Sequence, residues 1–150
     1  MDPLSAAASV IAVVQISAKI FELCRTYALG VKSATEDINR LQSEVAEIQL
    51  VMEKVKYLAD GDTNKLSTLQ TLKDNGTLER LSTDLATLAT KLAPKLRRRL
   101  LNRIRSGHLK WPFQKADVDQ LITALDRHKS TILLALSADQ RLERNGLVIE

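Results

Sequence analysis

The first thirty residues form an apolar segment with the period of a helix. No charged residue occurs between Asp2 and Lys19. The pattern predicts one helix from about Pro3 to Tyr27 or Leu29, which ends at Gly30. A helix that is apolar almost all round lies at the centre of a bundle or against lipid, so we expect central burial. Its polar residues are expected to form one narrow stripe toward solvent: Ser5, Ser9, Gln15, Lys19 and Glu22.

Apolar residues in steps of three and four predict a second helix that starts near Ser33. They form three heptads of an a/d seam from Ile38 to Ala59, and Gly61 ends the helix. The same seam is suited to pairing with another chain. A short helix with leucines 66, 69 and 72 is expected next, stopped by Asn75 and Gly76.

Two more long helices follow in the pattern. The third begins at about Thr77, and Pro94 is expected to kink or restart it because proline lacks the backbone donor. The fourth begins at about Gln114 and extends to Arg144, with Asn145 and Gly146 as its stop. Strand signals are missing.

These elements predict an all-α fold: an antiparallel four-helix bundle with additional short helices and a largely apolar N-terminal helix. Residues 1–144 are expected to form this single bundle, and residues 145–150 to begin a linker or mark a cut edge. No run of 18 apolar residues occurs, which predicts no conventional transmembrane helix. The N-terminus lacks the basic flank of a signal peptide. We therefore expect a cytoplasmic, soluble resting form.

The composition argues against an enzyme. The five glycines are dispersed, which excludes Gly-rich phosphate loops, and no GxSxG or HExxH pattern occurs. The single cysteine, Cys24, has no second cysteine or histidine at zinc spacing and reads as a small core residue. His128 reads as a partly buried bundle residue. We expect no catalytic residue, no cofactor and no metal.

Basic residues are concentrated in one segment. Nine of them lie from Lys91 to Lys115 with no acidic residue among them, while the rest of the chain has a net negative charge. Leucines run through the segment, so it predicts a basic amphipathic helix that is a solvated face, binds anionic lipid, or binds nucleic acid phosphates. No stacking aromatics are interleaved, which disfavours nucleic acid. The residues expected to bind anionic lipid are Lys95, Arg97, Arg98, Arg99, Arg103, Arg105 and Lys110.

The apolar first helix supplies a second membrane signal, and two signals bind far more stably than one. Its sixteen uncharged residues span about 24 Å, slightly less than the hydrocarbon core of about 30 Å. Trp111 and Phe113 serve either as a hydrophobic plug at one end of the bundle or as an interfacial anchor beside the basic segment. The residues expected to insert are Leu4, Val10, Ile11, Val14, Ile16, Ile20 and Phe21.

Several of these segments resemble a known family. The opening Met1 to Ser5 with the Ala/Val/Ile run after it, the seam of the second helix and the stretch Lys110 to Phe113 resemble the fungal N-terminal domain of STAND proteins, also called HeLo-like. Two stretches near the end of the resemblance, residues 127–130 and 133–136, fit the same pattern. The likeness covers about residues 1–136.

The resemblance implies a role in fungal programmed cell death or heterokaryon incompatibility. Such domains precede a nucleotide-binding oligomerisation domain or an amyloid-signalling motif, and they self-associate and attack the plasma membrane on activation. The implied partners are anionic membrane lipids, further copies of the chain, and a C-terminal sensor, nucleotide-binding domain or amyloid-signalling partner. Nucleic acid is not among them. The alternative is a non-lytic helical adaptor that mediates protein association.

Overall fold

The structure is a computed structural model that describes the backbone of residues 3–61, 66–106 and 110–149 and the side chains of residues 7–57, 69–93 and 110–138. The chain forms five helices, four long and one short. They are α1 (Pro3–Gly30), α2 (Thr35–Gly61), α3 (Leu66–Asp74), α4 (Thr77–Ser106) and α5 (Lys115–Ile149). The expected all-α bundle with an apolar N-terminal helix is confirmed.

The long helices surround one aliphatic core. α1 packs against α2 and α4, and α5 packs against the other side of α2 and of α4. α1 and α5 therefore lie on opposite corners of the bundle. The short helix α3 contacts all four long helices and closes one end.

The predicted seam of α2 is buried within the chain. Its side chains from Ile38 to Val55 are at most 2% exposed: Ile38, Leu41, Val45, Ile48, Met52 and Val55. The interpretation of this seam as a surface for a second chain is therefore wrong in this structure, because α1 and α5 already cover it. The burial of each of these side chains stabilises the bundle by about 1.5–3 kcal/mol.

The stop between α3 and α4 lies where the sequence predicts it. Gly76 has a φ of +74°, a conformation that costs glycine little and other residues more. The Asn75 side-chain oxygen accepts hydrogen bonds from the backbone N–H of Thr77 at 3.0 Å and from its hydroxyl at 2.6 Å. This arrangement caps the start of α4.

Two predicted helix ends differ from the structure. α4 continues through Pro94 to Ser106, so the helix does not restart there. α5 passes through Asn145 and Gly146 and ends at Ile149. Inside a helix a glycine costs about 1 kcal/mol and a proline about 3 kcal/mol, and a long helix can continue through either residue when the turns on both sides remain hydrogen bonded.

Candidate membrane interface

Helix α1 presents one buried face to the core. This face packs against α2, α3 and α4. Its members recur in steps of three and four, the spacing of a helix that is covered on one side. They are at most 1% exposed: Val10, Val13, Ser17, Ile20, Cys24 and Tyr27.

The opposite face of α1 is open to solvent, although much of it is apolar. Ile11 is 40% exposed. Its exposed companions are Ala8, Ala12, Gln15, Lys19 and Glu22. The expectation of central burial is therefore wrong for this face. α1 occupies a corner of the bundle and has neighbours on only part of its circumference.

The residues predicted to insert into a membrane are divided between the core and the surface. Val10 and Ile20 are buried and Ile11 is exposed. Val14, Ile16 and Phe21 are half-buried, and the side chain of Leu4 lies outside the described residues. Apolarity alone does not show which side of such a helix is covered. Most of the predicted set becomes available only if α1 leaves the bundle.

The predicted polar stripe is only partly correct. Gln15, Lys19 and Glu22 are exposed as expected, whereas Ser9 is half-buried. At 3.6 residues per turn Ser9 lies about 120° around the helix from Gln15. The stripe therefore excludes Ser9, and the side chain of Ser5 lies outside the described residues.

Helix α1 has the length and composition of a membrane span. The 24 residues Ala7–Gly30 have a mean hydropathy of 1.7, and 28% of an 18-residue stretch within them is buried in the bundle. The sequence predicted no conventional transmembrane helix because it has no unbroken run of 18 apolar residues; α1 is nevertheless long and apolar enough to cross a membrane, since its low charge gives the high mean hydropathy. Core helices of soluble proteins have the same composition, so length and hydropathy alone leave the function open.

An aromatic cluster connects the end of α1 to the loop before α5. The Tyr27 and Trp111 rings meet edge to face at 5.2 Å between centroids, and Trp111 meets Phe113 at 5.3 Å. Trp111 is 8% exposed. Of the two interpretations of Trp111, this geometry favours the hydrophobic plug, because its ring is enclosed by the core. Its indole N–H has no hydrogen-bond partner among the described residues.

The predicted lipid-binding residues fall mostly outside the described side chains. The backbone of α4 is helical over Lys95 to Arg105, and nothing is described of the side chains there: Lys95, Arg97, Arg98, Arg99, Arg103 and Arg105. Lys110 is exposed. Lys91 and Lys115, at the two limits of the basic segment, are exposed as well.

Sequence reasoning missed an ionic cluster between α2 and α5. The Lys129 ammonium group lies 3.3 Å from a carboxylate oxygen of Glu44 and 3.1 Å from one of Asp126, and it also pairs with Glu47. The Lys129 side chain is 15% exposed and that of Glu44 is 11% exposed. The sequence did contain a signal for this cluster. Lys129 lies four residues after the buried Leu125, which places it on the same side of α5.

Burial shifts the protonation of this cluster. Burial raises the pKa of the Glu44 carboxyl above its ordinary value, and the attraction of Lys129 offsets only part of the shift. Burial lowers the pKa of Lys129, but hydrogen bonds with Glu47, Asp126 and Glu44 outweigh it, and the net effect raises this pKa. Lys129 therefore stays charged and holds α5 to α2.

Further polar contacts also hold α5. Arg40 pairs with Asp119 at 2.8 Å, and His128 Nε2 lies 2.7 Å from a carboxylate oxygen of Asp84 on α4. His128 is half-buried, as predicted. Among the described residues no ion pair links α1 to another helix, and no group of side chains has the make-up of a metal site.

Cys24 is part of the core of the bundle. Its side chain is fully buried, which confirms the predicted role as a small core residue. Burial raises the pKa of the Cys24 thiol to about 12. The thiolate is the reactive form of cysteine, so Cys24 is inert in this fold.

The fold defines a helical-bundle domain with a long, apolar N-terminal helix. A family model described as "Pigment biosynthesis cluster protein PigL N-terminal" matches residues 1–145. The chain therefore belongs to the PigL N-terminal family, a HeLo-like domain family. No curated protein and no solved structure matched the chain.

Proposed function

We propose that this domain is a membrane-targeting effector of a fungal cell-death or self/non-self response. It rests in the cytoplasm as the bundle described above. After self-association it moves to the plasma membrane, where α1 inserts and the bilayer becomes permeable. Family membership supports the HeLo-like architecture, and the membrane role rests on α1, which is long and apolar enough to span a bilayer and has one face already exposed.

The dimensions of α1 suit insertion. Its 24-residue span corresponds to about 36 Å, compared with a hydrocarbon core of about 30 Å. Lys19 and Glu22 are three residues apart on the exposed face, so within a bilayer they would pair with each other or face neighbouring copies.

The attachment of α1 to the bundle favours release. The surface of α1 that packs on the bundle is almost wholly apolar, and it includes the buried Ser17 hydroxyl, which has no hydrogen-bond partner among the described residues. Such a group costs about 1–3 kcal/mol. A lipid core replaces the apolar contacts that α1 gives up, while α2 and α4 would expose their own apolar faces. Association with further copies would cover those faces, which couples oligomerisation to insertion.

The proposed partners follow from this sequence of events. The basic segment from Lys95 to Lys110 would bind anionic lipid, since each basic residue near such a surface contributes about 1 kcal/mol. A C-terminal sensor, a nucleotide-binding domain or an amyloid-signalling partner would bring several copies together. The reaction is one of association and insertion, which needs no catalytic residue and no cofactor.

The alternative function is a non-lytic adaptor. One observation favours it: Leu50 and Tyr57 on α2 are 66% and 78% exposed. They are two turns apart on the same side of the helix, a spacing at which two side chains contact one partner surface.

Dye leakage from anionic vesicles tests the proposal. The chain is fused to an inducible dimerisation module, and we expect leakage only after the inducer is added. Ile11→Glu should abolish leakage and leave the fold intact, because Ile11 is 40% exposed and a charge at the bilayer centre costs about 3 kcal/mol. The matched control is Leu133→Glu on α5, at 42% exposure, which should still leak. If the induced wild-type chain leaves the vesicles intact, the adaptor is favoured.

A further inference from the structure

One side chain of α1 contacts both ends of the basic segment. The Tyr27 hydroxyl donates a hydrogen bond to the Leu92 carbonyl oxygen at 3.1 Å, and the Tyr27 ring meets the Trp111 ring edge to face at 5.2 Å between centroids. All three residues are buried, with at most 8% exposure. Residues 93–110, which we call the basic arm, lie between these two contacts and include seven lysines and arginines and no acidic residue. Tyr27 therefore joins both roots of the basic arm to the end of α1.

Helices α1 and α4 run in the same direction through the bundle. Arg40 pairs with Asp119 and Glu47 pairs with Lys129, so residues follow the same order along α2 and α5. α1 is antiparallel to α2, and α4 is antiparallel to α5. The C-terminal ends of α1 and α4 therefore lie at the same end of the molecule.

The helical part of the basic arm extends past the end of α1. Beyond Tyr27, α1 continues only to Gly30, about 5 Å along its axis. Beyond Leu92, α4 continues to Ser106, about 21 Å along its axis. The arm therefore reaches about 16 Å farther than α1, and α1 holds it at its root.

The root of the basic arm contains a weak turn. Pro94 lies two residues after Leu92 within α4. Because proline has no backbone N–H, the carbonyl oxygen of Thr90 lacks the helical hydrogen bond that another residue type at position 94 would supply. Sharp bends in helices occur at prolines for this reason. Tyr27 therefore holds α4 beside a position where the helix bends easily.

We propose that Tyr27 is a latch through which docking of the basic arm on an anionic bilayer loosens α1. A basic amphipathic helix that binds a bilayer lies in the plane of the interface. For the arm to do so, α4 bends at Pro94 and the Leu92 carbonyl oxygen moves away from α1. A displacement of about 1 Å already breaks a hydrogen bond of 3.1 Å. This coupling rests on the membrane function proposed above and orders its steps: the arm docks first, and α1 is freed second.

Linkage between the two steps gives a test in binding affinity. Docking of the wild-type chain breaks the Tyr27 hydrogen bond, whereas Tyr27→Phe has no such bond to lose. The variant should therefore bind phosphatidylcholine vesicles that contain phosphatidylglycerol about fivefold more tightly than the wild type, the factor that corresponds to one hydrogen bond. Co-sedimentation of the complete chain measures the affinity, and circular dichroism melting checks that the variant is folded.

Two further variants separate the latch from a general loss of stability. Asn75→Ala removes the hydrogen bonds that cap the other end of α4 and lowers stability to a similar degree, so it is the matched control and should bind like the wild type. Pro94→Ala restores the backbone donor at the bend and should bind about fivefold more weakly. If Tyr27→Phe does not fold, Pro94→Ala still decides.

Hydrogen exchange measures whether docking frees α1 before insertion. The measurement uses Ile11→Glu, whose added charge opposes insertion, so that a change in α1 reports on the latch alone. When this variant binds the same vesicles, the amide hydrogens from Val13 to Tyr27 should exchange severalfold faster. Those of α5 from Val118 to Ile132 should keep their rates.

Four results would overturn the latch. They are equal affinity of Tyr27→Phe and the wild type, equal gains by Tyr27→Phe and Asn75→Ala, undiminished binding by Pro94→Ala, and unchanged exchange of α1 in bound Ile11→Glu. If the wild-type chain binds no anionic vesicles, the proposed membrane function fails and the latch fails with it. Vesicle binding together with any of the four results contradicts the latch alone.

Discussion

The Tyr27 hydroxyl donates a hydrogen bond to the carbonyl oxygen of Leu92 at 3.1 Å, 65 residues further along the chain. The contact is buried and attaches the last turns of α1 to the middle of α4. A second side-chain bond between α1 and another long helix runs from Gln42 Nε2 to the Phe21 carbonyl oxygen at 3.3 Å. Directional contacts therefore support the apolar packing of α1 near its C-terminal end.

Tyr27→Phe tests how far this bond holds α1. The ring still packs against Trp111, so the loss should be limited to the hydrogen bond, about 1 kcal/mol of unfolding free energy. Urea denaturation measures it. Tyr57→Phe, at a position that is 78% exposed, is the control and should leave the free energy of unfolding unchanged. Equal stability of the two variants would mean that the bond contributes little.

The stability of the bundle should fall at alkaline pH through Cys24. The folded thiol keeps its proton up to about pH 12, whereas its ordinary pKa is 9.0. This stabilisation is complete below pH 9 and is lost as the pH rises toward 12, by up to about 1.4 kcal/mol per pH unit. Urea denaturation between pH 7 and pH 10.5 should show a smaller decline for Cys24→Ala than for the wild type. Parallel curves would contradict the assignment.

Lys129→Met should destabilise the bundle at neutral pH by about 2 kcal/mol. It leaves the carboxylate of Glu44 buried without a cation, and the exposure of Glu47 and Asp126 limits the loss. Burial already raises the pKa of Glu44, so the deficit should shrink as the pH falls and this carboxyl becomes neutral. Thermal melts at pH 7 and pH 4 measure both effects. Adding Glu44→Gln to the variant should recover part of the loss, while Lys54→Met, at an exposed position, is the control.

A pair of substitutions tests the faces of α1. Gln15→Glu lies on the exposed face and should change stability by less than about 0.5 kcal/mol. Ser9→Glu introduces a charge at a half-buried position and should lower the melting temperature by several degrees. If the two variants melt alike, the exposed stripe includes Ser9 after all.

The arginines of α4 should govern binding to anionic vesicles. Replacing five of them with glutamine should weaken vesicle co-sedimentation and reduce its dependence on salt, because salt screens exposed charge. The five are Arg97, Arg98, Arg99, Arg103 and Arg105. The control, Lys54→Gln with Lys56→Gln on α2, removes charge at exposed positions outside the segment. Unchanged binding of the arginine variant would exclude the role assigned to these residues.

The sequence predicted those parts of the fold that depend on local periodicity. The bounds of α1, the buried seam from Ile38 to Val55 and the turn at Gly76 follow from apolar spacing and backbone preference. The continuation of α4 through Pro94 was not predictable in this way, because a single residue's preference competes with the turns on both sides of it.

The arrangement around α1 was harder to predict. An almost uniformly apolar helix does not indicate which of its faces meets the core, so Ile11 and Val10 could not be told apart. The contact between Tyr27 and Trp111 and the pairing of Lys129 with Glu44 join residues far apart in sequence. Each requires the packing order of the helices, in which α1 and α5 occupy opposite corners.

Both corner helices bury apolar faces, but the described ion pairs to neighbouring helices belong to α5, so we expect the two attachments to respond differently to the surroundings. Contacts between apolar surfaces hold α1, and these lose their advantage where hydrocarbon replaces water. Ion pairs of Arg40, Lys129 and His128 support α5, and concentrated salt weakens those pairs that are exposed. We therefore expect a lipid surface to weaken the attachment of α1, at the start of the chain, and concentrated salt to weaken the attachment of α5, near its end.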